Sequence, residues 1–198
     1  MKSMSSISVL LCFLSFFSVT KQEIFDNRSC NYYGVEPICG FSRNLYEGKW
    51  RVYRLNDYTE SLDHDCILWD YQTITSPNAH AVETSLNLKT GKPQLIDSTM
   101  FFDKEGKGQF TYDVIKDGVD PEYIKIIATD YTRYSVEWSC LDFPKTKRCE
   151  CFAYLMTRER VPDQETIDIL ESVCRKHKID LTRTRLIVQD PSVCGSSF

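Results

Sequence analysis

Nine cysteines, three histidines and one N-glycosylation sequon are the residues of this 198-residue chain whose types and spacing could do chemistry. A thiol serves as nucleophile, metal ligand or half of a disulfide, and the redox compartment largely decides which. Cys149-Glu150-Cys151 has the form of half a metal site, but no second thiol pair or histidine pair stands at zinc-finger spacing from it. No metal is therefore expected. His64 lies in the charged stretch Asp63-His64-Asp65, His80 near a strand start and His177 at the end of a helical pattern, and all three read as surface residues. There is no Gly-x-Ser-x-Gly elbow, His-Glu-x-x-His pair or phosphate loop. No catalytic residue is assigned, and the chain is not expected to be an enzyme. Its 24 basic and 28 acidic residues are scattered and give a formal charge of −4, so no electrostatic grip on nucleic acid or an anionic membrane is expected.

The compartment is read from the first twenty residues. Lys2 supplies a positive start, and residues 7–19 form an apolar run ending in small side chains, the pattern of a secretory signal peptide cut after Thr20. The run is too short to span a bilayer, and nothing later in the chain is longer, so no membrane span is expected. Removal of 1–20 takes Cys12 with it and leaves Cys30, Cys39, Cys66, Cys140, Cys149, Cys151, Cys174 and Cys194, an even number suited to up to four disulfides. The sequon Asn27-Arg28-Ser29 fits a secreted, extracellular glycoprotein, with Cys30 as a neighbour that could hinder modification.

The elements that must position these residues are mostly strands. With 42% hydrophobic and 13% aromatic residues the chain can build a core. Segments rich in Val, Ile, Tyr, Phe, Thr and Trp recur at roughly ten-residue intervals between Gly, Pro, Asn and Asp. They predict strands at 48–56, 66–74, 79–88, 94–103, 108–115, 123–130, 134–141 and 151–158. Eight antiparallel strands suggest a closed, all-β up-and-down barrel. One segment breaks the pattern: after Pro162, Ile167, Leu170, Val173, Cys174 and His177 recur at helical spacing, and Asp163 can cap the helix they imply. That helix must bury its apolar stripe on the outside of the sheet. A short strand at 185–189 follows, and no linker composition divides 21–198 into two domains.

Three blocks now resemble a known family, the lipocalins, in the branch of apolipoprotein D, insect bilin-binding proteins and crustacyanins. Tyr46-Glu47-Gly48-Lys49-Trp50 is similar to the Gly-x-Trp block opening the first strand. Thr129-Asp130-Tyr131 is similar to the block between the sixth and seventh strands, and 152–158, ending in Arg158, resembles the third block. With the helix and Val193-Cys194 in register, the resemblance covers essentially the whole mature chain.

The resemblance implies a closed barrel base of Gly48, Trp50, Thr129, Asp130, Tyr131 and Arg158, with the guanidinium over the indole, an interaction worth about 0.5 to 2 kcal/mol. It also implies bridges Cys30–Cys140 and Cys66–Cys194, each restraining about 4 to 5 kcal/mol of unfolded-chain entropy. Cys39, Cys149, Cys151 and Cys174 exceed the two-bridge pattern. Cys149 and Cys151 alternate opposite to Phe152, Tyr154 and Met156 and so face outward, and on that parity Cys174 is matched with Cys151 and Cys39 with Cys149.

An eight-stranded barrel holds one small ligand. Period-two alternation with the family register nominates Tyr46, Tyr71, Ser85, Asn87, Phe110, Tyr112, Ile124, Ile126, Phe152, Tyr154 and Met156 as its ligand-binding lining, some of which would be simple core. Ser85 and Asn87 stand where apolipoprotein D carries a charged pair, which argues against a ligand needing a charge partner. The expected function is a secreted carrier of a small hydrophobic molecule of tetrapyrrole, carotenoid, fatty acid or steroid type. No cofactor is required, although a bound bilin or carotenoid is admitted. The alternative is a protein-binding lipocalin with a filled barrel, acting through mouth loops such as the acidic 56–65, and the crustacyanin resemblance also admits a homo-oligomer. A haem-binding variant would need an inward histidine, for which His80 is the candidate.

Overall fold

The computed structural model describes residues 25–26, 35–56, 63–72, 74, 79–103, 106–112, 123–143 and 145–195. The predicted leader, the sequon at Asn27 and Cys30 lie outside these residues.

A two-residue strand β1 (Phe25–Asp26) and a single helical turn α1 (Arg43–Tyr46) precede the main sheet. Then follow β2 (Gly48–Asn56), β3 (His64–Gln72), β4 (Ala79–Asn87), β5 (Lys92–Phe102), β6 (Gln109–Tyr112), β7 (Tyr123–Thr129), β8 (Tyr134–Phe143) and β9 (Arg148–Thr157). Each pairs antiparallel with its chain neighbour, and β9 returns to pair with β2. That last pairing closes the barrel and removes the free sheet edges that would otherwise invite association. β2 begins where predicted, and the others lie within a few residues of expectation. β3 starts two residues early because Cys66, at φ +58°, forms a bulge between Asp65 and Leu68 that lets pairing with β4 continue to His64.

Helix α2 (Gln164–Lys176) lies on the outside against β8. Asp163 caps it by accepting the Thr166 N–H at 2.8 Å, and Arg175 and Lys176 sit in its last turn, complementing the helix dipole. Its Leu170 and Cys174 are fully buried against Val136, Trp138, Ala153 and Leu155. In β8 the large side chains Tyr134, Val136, Trp138 and Cys140 therefore point outward beneath the helix, and Ser135, Glu137 and Ser139 point into the barrel.

The C-terminal segment crosses back over the first strands. β10 (Thr184–Leu186) pairs with β2, and Gln189 Nε2 donates to the carbonyls of Val52 (3.0 Å) and Ile67 (2.9 Å). α3 (Pro191–Cys194) then delivers Cys194 to Cys66, forming the expected disulfide across 128 residues of sequence. In the loop-closure picture it removes about 5 kcal/mol of unfolded-chain entropy. Cys140 is also disulfide-bonded, to a partner outside the described residues.

The two further bridges do not form. Cys39 and Cys174 are both thiols. Cys39 lies opposite Lys107 by the turn between β5 and β6, at the end of the barrel where β2 begins, whereas Cys149 lies at the other end of β9. Eight strand residues, about 26 Å, separate Cys149 from Thr157. Side-chain parity identifies the wall a cysteine faces but not its height along that wall.

Candidate ligand-binding site

The barrel interior has three levels, and the lowest is closed by Arg158. Its guanidinium lies 3.7 Å from the centroid of Trp50 and donates to the carbonyls of Lys49 (2.9 Å), Tyr131 (3.1 Å), Leu45 and Tyr46 (both 3.2 Å). The planar five-donor fork of arginine can cap four carbonyls and cover an indole at once, which a lysine cannot. Gly48 beside it has φ +93°, and a Cβ there would sit 3.5 Å from Arg158 Nη1. The turn 130–133 is held by Asp130 Oδ1, which accepts the N–H groups of Thr132 (3.0 Å), Arg133 (2.7 Å) and Tyr134 (3.1 Å). Thr129 Oγ1 accepts the Tyr131 N–H and donates to the Tyr134 carbonyl.

Above this base lies a polar triad absent from the sequence-based lining. Glu137, buried inside the barrel from β8, accepts the Tyr46 hydroxyl at 2.6 Å and the Tyr71 hydroxyl at 2.9 Å on the same carboxylate oxygen. Tyr46 also hydrogen-bonds Ser135 Oγ at 2.8 Å. Burial, with the Glu137 carboxylate alongside, holds both phenols well above the ordinary tyrosine range, so they remain donors. Tyr46, predicted as cup lining, belongs to α1 and forms this floor, while Trp50, Tyr71, Phe110, Ile126 and Met156 fill the space around it.

The third level, next to this floor, is less closed. Trp69 of β3, paired across the ladder from Trp50, stacks on Tyr112 of β6 with ring centroids 5.5 Å apart and an interplanar angle of 14°, and on Tyr71 at 6.1 Å. Register places Phe152 and Tyr154 on the opposite wall, across from Ser139 and Glu137 of β8, and Ile124 in the same interior face. Trp69, Tyr112 and Phe152 retain 8 to 9% exposure and Ile96 40%, against 0 to 1% for Tyr46, Trp50, Tyr71 and Phe110. Ser85 faces this interior from β4. Its hydroxyl is buried and has no hydrogen-bond partner, and a buried unsatisfied hydroxyl costs about 1 to 3 kcal/mol.

Two predicted roles change. Asn87 serves the β4–β5 turn: its Oδ1 accepts the N–H groups of Lys89 and Thr90, and its Nδ2 meets His64 Nε2 at 3.1 Å. An asparagine opening a turn folds back on its own backbone, which leaves no side-chain oxygen for a ligand. His64 thus belongs to the mouth rim, paired directly across from Asn87. His80 faces outward on β4, 3.5 Å from Asp97 of β5, with a side chain 45% exposed, so the haem reading has no inward histidine there. The interior also carries acidic groups after all, Glu137 and, in the Trp69–Glu83–Ile96 row, Glu83.

The sequence matches the model of the lipocalin / cytosolic fatty-acid binding protein family over residues 47–189. The chain is 22% identical to the Lazarillo protein of Schistocerca americana over 170 residues, covering 81% of this chain and 75% of that one. Its fold superimposes on insecticyanin from the tobacco hornworm Manduca sexta with a TM-score of 0.73 at 17% identity, covering 87% and 92% of the two chains. Lobster apocrustacyanin A1 superimposes with a TM-score of 0.61 at 19% identity, covering 80% and 92%. A closed eight-stranded barrel with an external helix, an arginine-capped tryptophan at its base and a family match across nearly all of that barrel identify the chain as a member of the lipocalin family.

Proposed function

We propose that this lipocalin is a secreted carrier of a compact, flat hydrophobic molecule held inside the barrel against the Trp69–Tyr112 stack. The observation that carries the reading is the contrast in burial: Trp69, Tyr112 and Phe152 keep 8 to 9% exposure and Ile96 40%, beside a floor of Tyr46, Trp50, Tyr71 and Phe110 buried to 0 to 1%. Apolar surface taken from water there contributes about 25 cal/mol per Å², and Ser85 offers an unused hydroxyl for orientation. The filled floor favours a fused-ring, steroid-like or folded tetrapyrrole ligand over an extended polyene. Secretion rests on the leader-like first twenty residues and on the Cys66–Cys194 disulfide. Residues 21–198 are read as one domain, with Asn27 as a glycan acceptor.

The test is native mass and absorption of protein secreted by eukaryotic cells, before and after solvent extraction, followed by titration of the extracted protein with steroid and bilin probes. The chain has three tryptophans, and only Trp69 faces this chamber, since Trp50 is at the base and Trp138 on the outer wall. Binding in the proposed place quenches wild-type fluorescence, and the quenching is mostly lost in Trp69→Phe. Quenching that survives this change, or saturable binding to no apolar probe, would overturn the reading and shift it toward a protein-binding lipocalin with a filled barrel.

A further inference from the structure

Ser85 of β4 faces the barrel interior and is fully buried, yet its hydroxyl has no hydrogen-bond partner. By contrast, the buried hydroxyls of Ser135, Thr157 and Thr184 are paired with the Tyr46 hydroxyl, the Glu159 carbonyl and the Leu181 carbonyl at 2.8, 2.8 and 2.7 Å. Stranding a hydroxyl in a dry site costs stability that an alanine would not. The same face of β4 carries that alanine two inward positions nearer the base, as Ala81. Ser85 is one inward position, about 7 Å, mouthward of Glu83, and Glu83 pairs with Trp69. A ring system lying on the Trp69–Tyr112 stack therefore brings one edge to this serine. On β5, Gln94 stands directly across from Ser85 and Ile96 diagonally. Both are exposed, and exposed side chains change rotamer within nanoseconds, so approach to the hydroxyl from that side needs side-chain movement and no separation of strands.

We infer that Ser85 determines which ligand the barrel accepts: its hydroxyl donates to the carbonyl oxygen of a neutral, flat ring system, a cyclic ketone or a lactam, whose apolar body lies against Trp69. The inference rests on the carrier reading above and narrows it from a hydrophobic ligand to one with a ring carbonyl. The chemistry of the donor makes the choice. A pure hydrocarbon leaves the Ser85 hydroxyl as unpaired as it is in the free protein. A ligand hydroxyl accepts the serine proton but brings an O–H of its own that needs a second acceptor, whereas a carbonyl oxygen is an acceptor that brings no donor with it. A carboxylate would bring a full charge into a dry site, and the inward neighbours Ile67, Trp69, Glu83, Gln94 and Ile96 offer no cation to balance it.

The full secreted chain tests this, as wild type and Ser85→Ala, stripped of ligand and titrated by tryptophan quenching with one saturated steroid skeleton carrying a ring ketone, a ring hydroxyl or neither, and with biliverdin as a tetrapyrrole lactam. The ratio of ketone to hydrocarbon affinity is expected to fall at least about fivefold in Ser85→Ala, with the hydrocarbon bound equally by both proteins. The ketone's carbonyl stretch should move to lower wavenumber on binding the wild type and not the variant. Free of ligand, Ser85→Ala should melt at or above the wild-type temperature, which a hydroxyl serving only the fold would not allow. A fall for the ketone alone identifies a ketone ligand, and a fall for biliverdin alone a lactam. An unchanged ratio in both series, with probes still bound, would remove the role of Ser85 and leave the carrier reading standing. No quenching by any probe would defeat the carrier reading and this inference with it. A Ser85→Ala protein that melts lower or is not secreted would make the serine structural and overturn the inference.

Discussion

The two tryptophans paired across the β2–β3 ladder, Trp50 and Trp69, are similar in bulk and differ in what their neighbours do. At the base, Trp50 is covered on one face by Arg158, donates its indole N–H to the Tyr46 carbonyl at 2.9 Å and stacks on the Tyr46 ring at 5.0 Å. Trp69, paired directly across the ladder from Trp50, stacks on Tyr112 at 5.5 Å and on Tyr71 at 6.1 Å and keeps 8% exposure, with no cation over its ring among the described residues. A ring pinned by a cation and a hydrogen bond is scaffold, whereas a ring held by stacking alone can exchange a neighbour for a ligand. The difference teaches that stability and binding are separated in this barrel by how firmly each ring is pinned rather than by residue type.

The largest effect should come from removing the base. Trp50→Ala deletes the indole with its hydrogen bond and the cation–π contact, and is expected to cost about 3 to 5 kcal/mol, read as a shift in the urea midpoint at unchanged slope. A cost below about 1 kcal/mol would erase the distinction between the two tryptophans. Next is the floor. Glu137→Ala strips the acceptor from the Tyr71 hydroxyl and one of two partners from Tyr46, leaving polar groups in a dry site at an expected cost of about 3 kcal/mol. Glu137→Gln keeps an acceptor and should recover more than half of that loss. If glutamine is as damaging as alanine, the charge itself supports the floor, which would bring floor and chamber closer together in character.

How legible all this was in the sequence depends on whether a feature is local. β2 and the cap of α2 were readable because Gly48, Asp163 and Pro162 act on their immediate neighbours. The base was readable because Trp50 and Arg158 stand in recurrent blocks. Glu137 was not, and the reason is physical: β8 alternates in the usual way, but its apolar set, Tyr134, Val136 and Trp138, faces out, because α2 makes the outer wall of that strand a second core. A hydrophobic-inward rule assigns such a strand to the wrong side, and only the helix's docking position reveals the inversion. Asn87 was misread for the opposite reason: its parity is inward, but its local turn claims the side chain first.

The chamber supplies the third and sharper comparison. Trp69→Leu removes ring atoms but keeps an apolar side chain at a site that retains 8% exposure, so the expected stability loss is about 2 kcal/mol, under that of Trp50→Ala. Its effect on binding should be the reverse of the base variant's: at least a tenfold weaker dissociation constant for whichever apolar probe binds the wild type, measured by equilibrium titration on folded protein. Equal affinity in Trp69→Leu would place the ligand elsewhere.

The smallest effect tests the turn that closes the base from outside. Burial pushes the Asp130 carboxyl up, but the Arg133 backbone N–H and side chain, with the N–H groups of Tyr134 and Thr132, outweigh it and hold the group below its ordinary value. A carboxyl depressed in the folded state binds its proton less readily than in the unfolded chain, so its contribution is fully present above the unfolded value of about 3.9 and is lost as pH falls through the lower folded value. Wild-type unfolding free energy should therefore decline below about pH 4 as this group takes up its proton. Asp130→Asn should lose a similar amount at pH 7 and show a correspondingly shallower acid limb, because asparagine still accepts one N–H but cannot pair with Arg133, 2.9 Å from the carboxylate. Parallel acid limbs in the two proteins would mean that the turn is held by its backbone bonds regardless of charge, and that closure of the base rests on Arg158 and Trp50 alone.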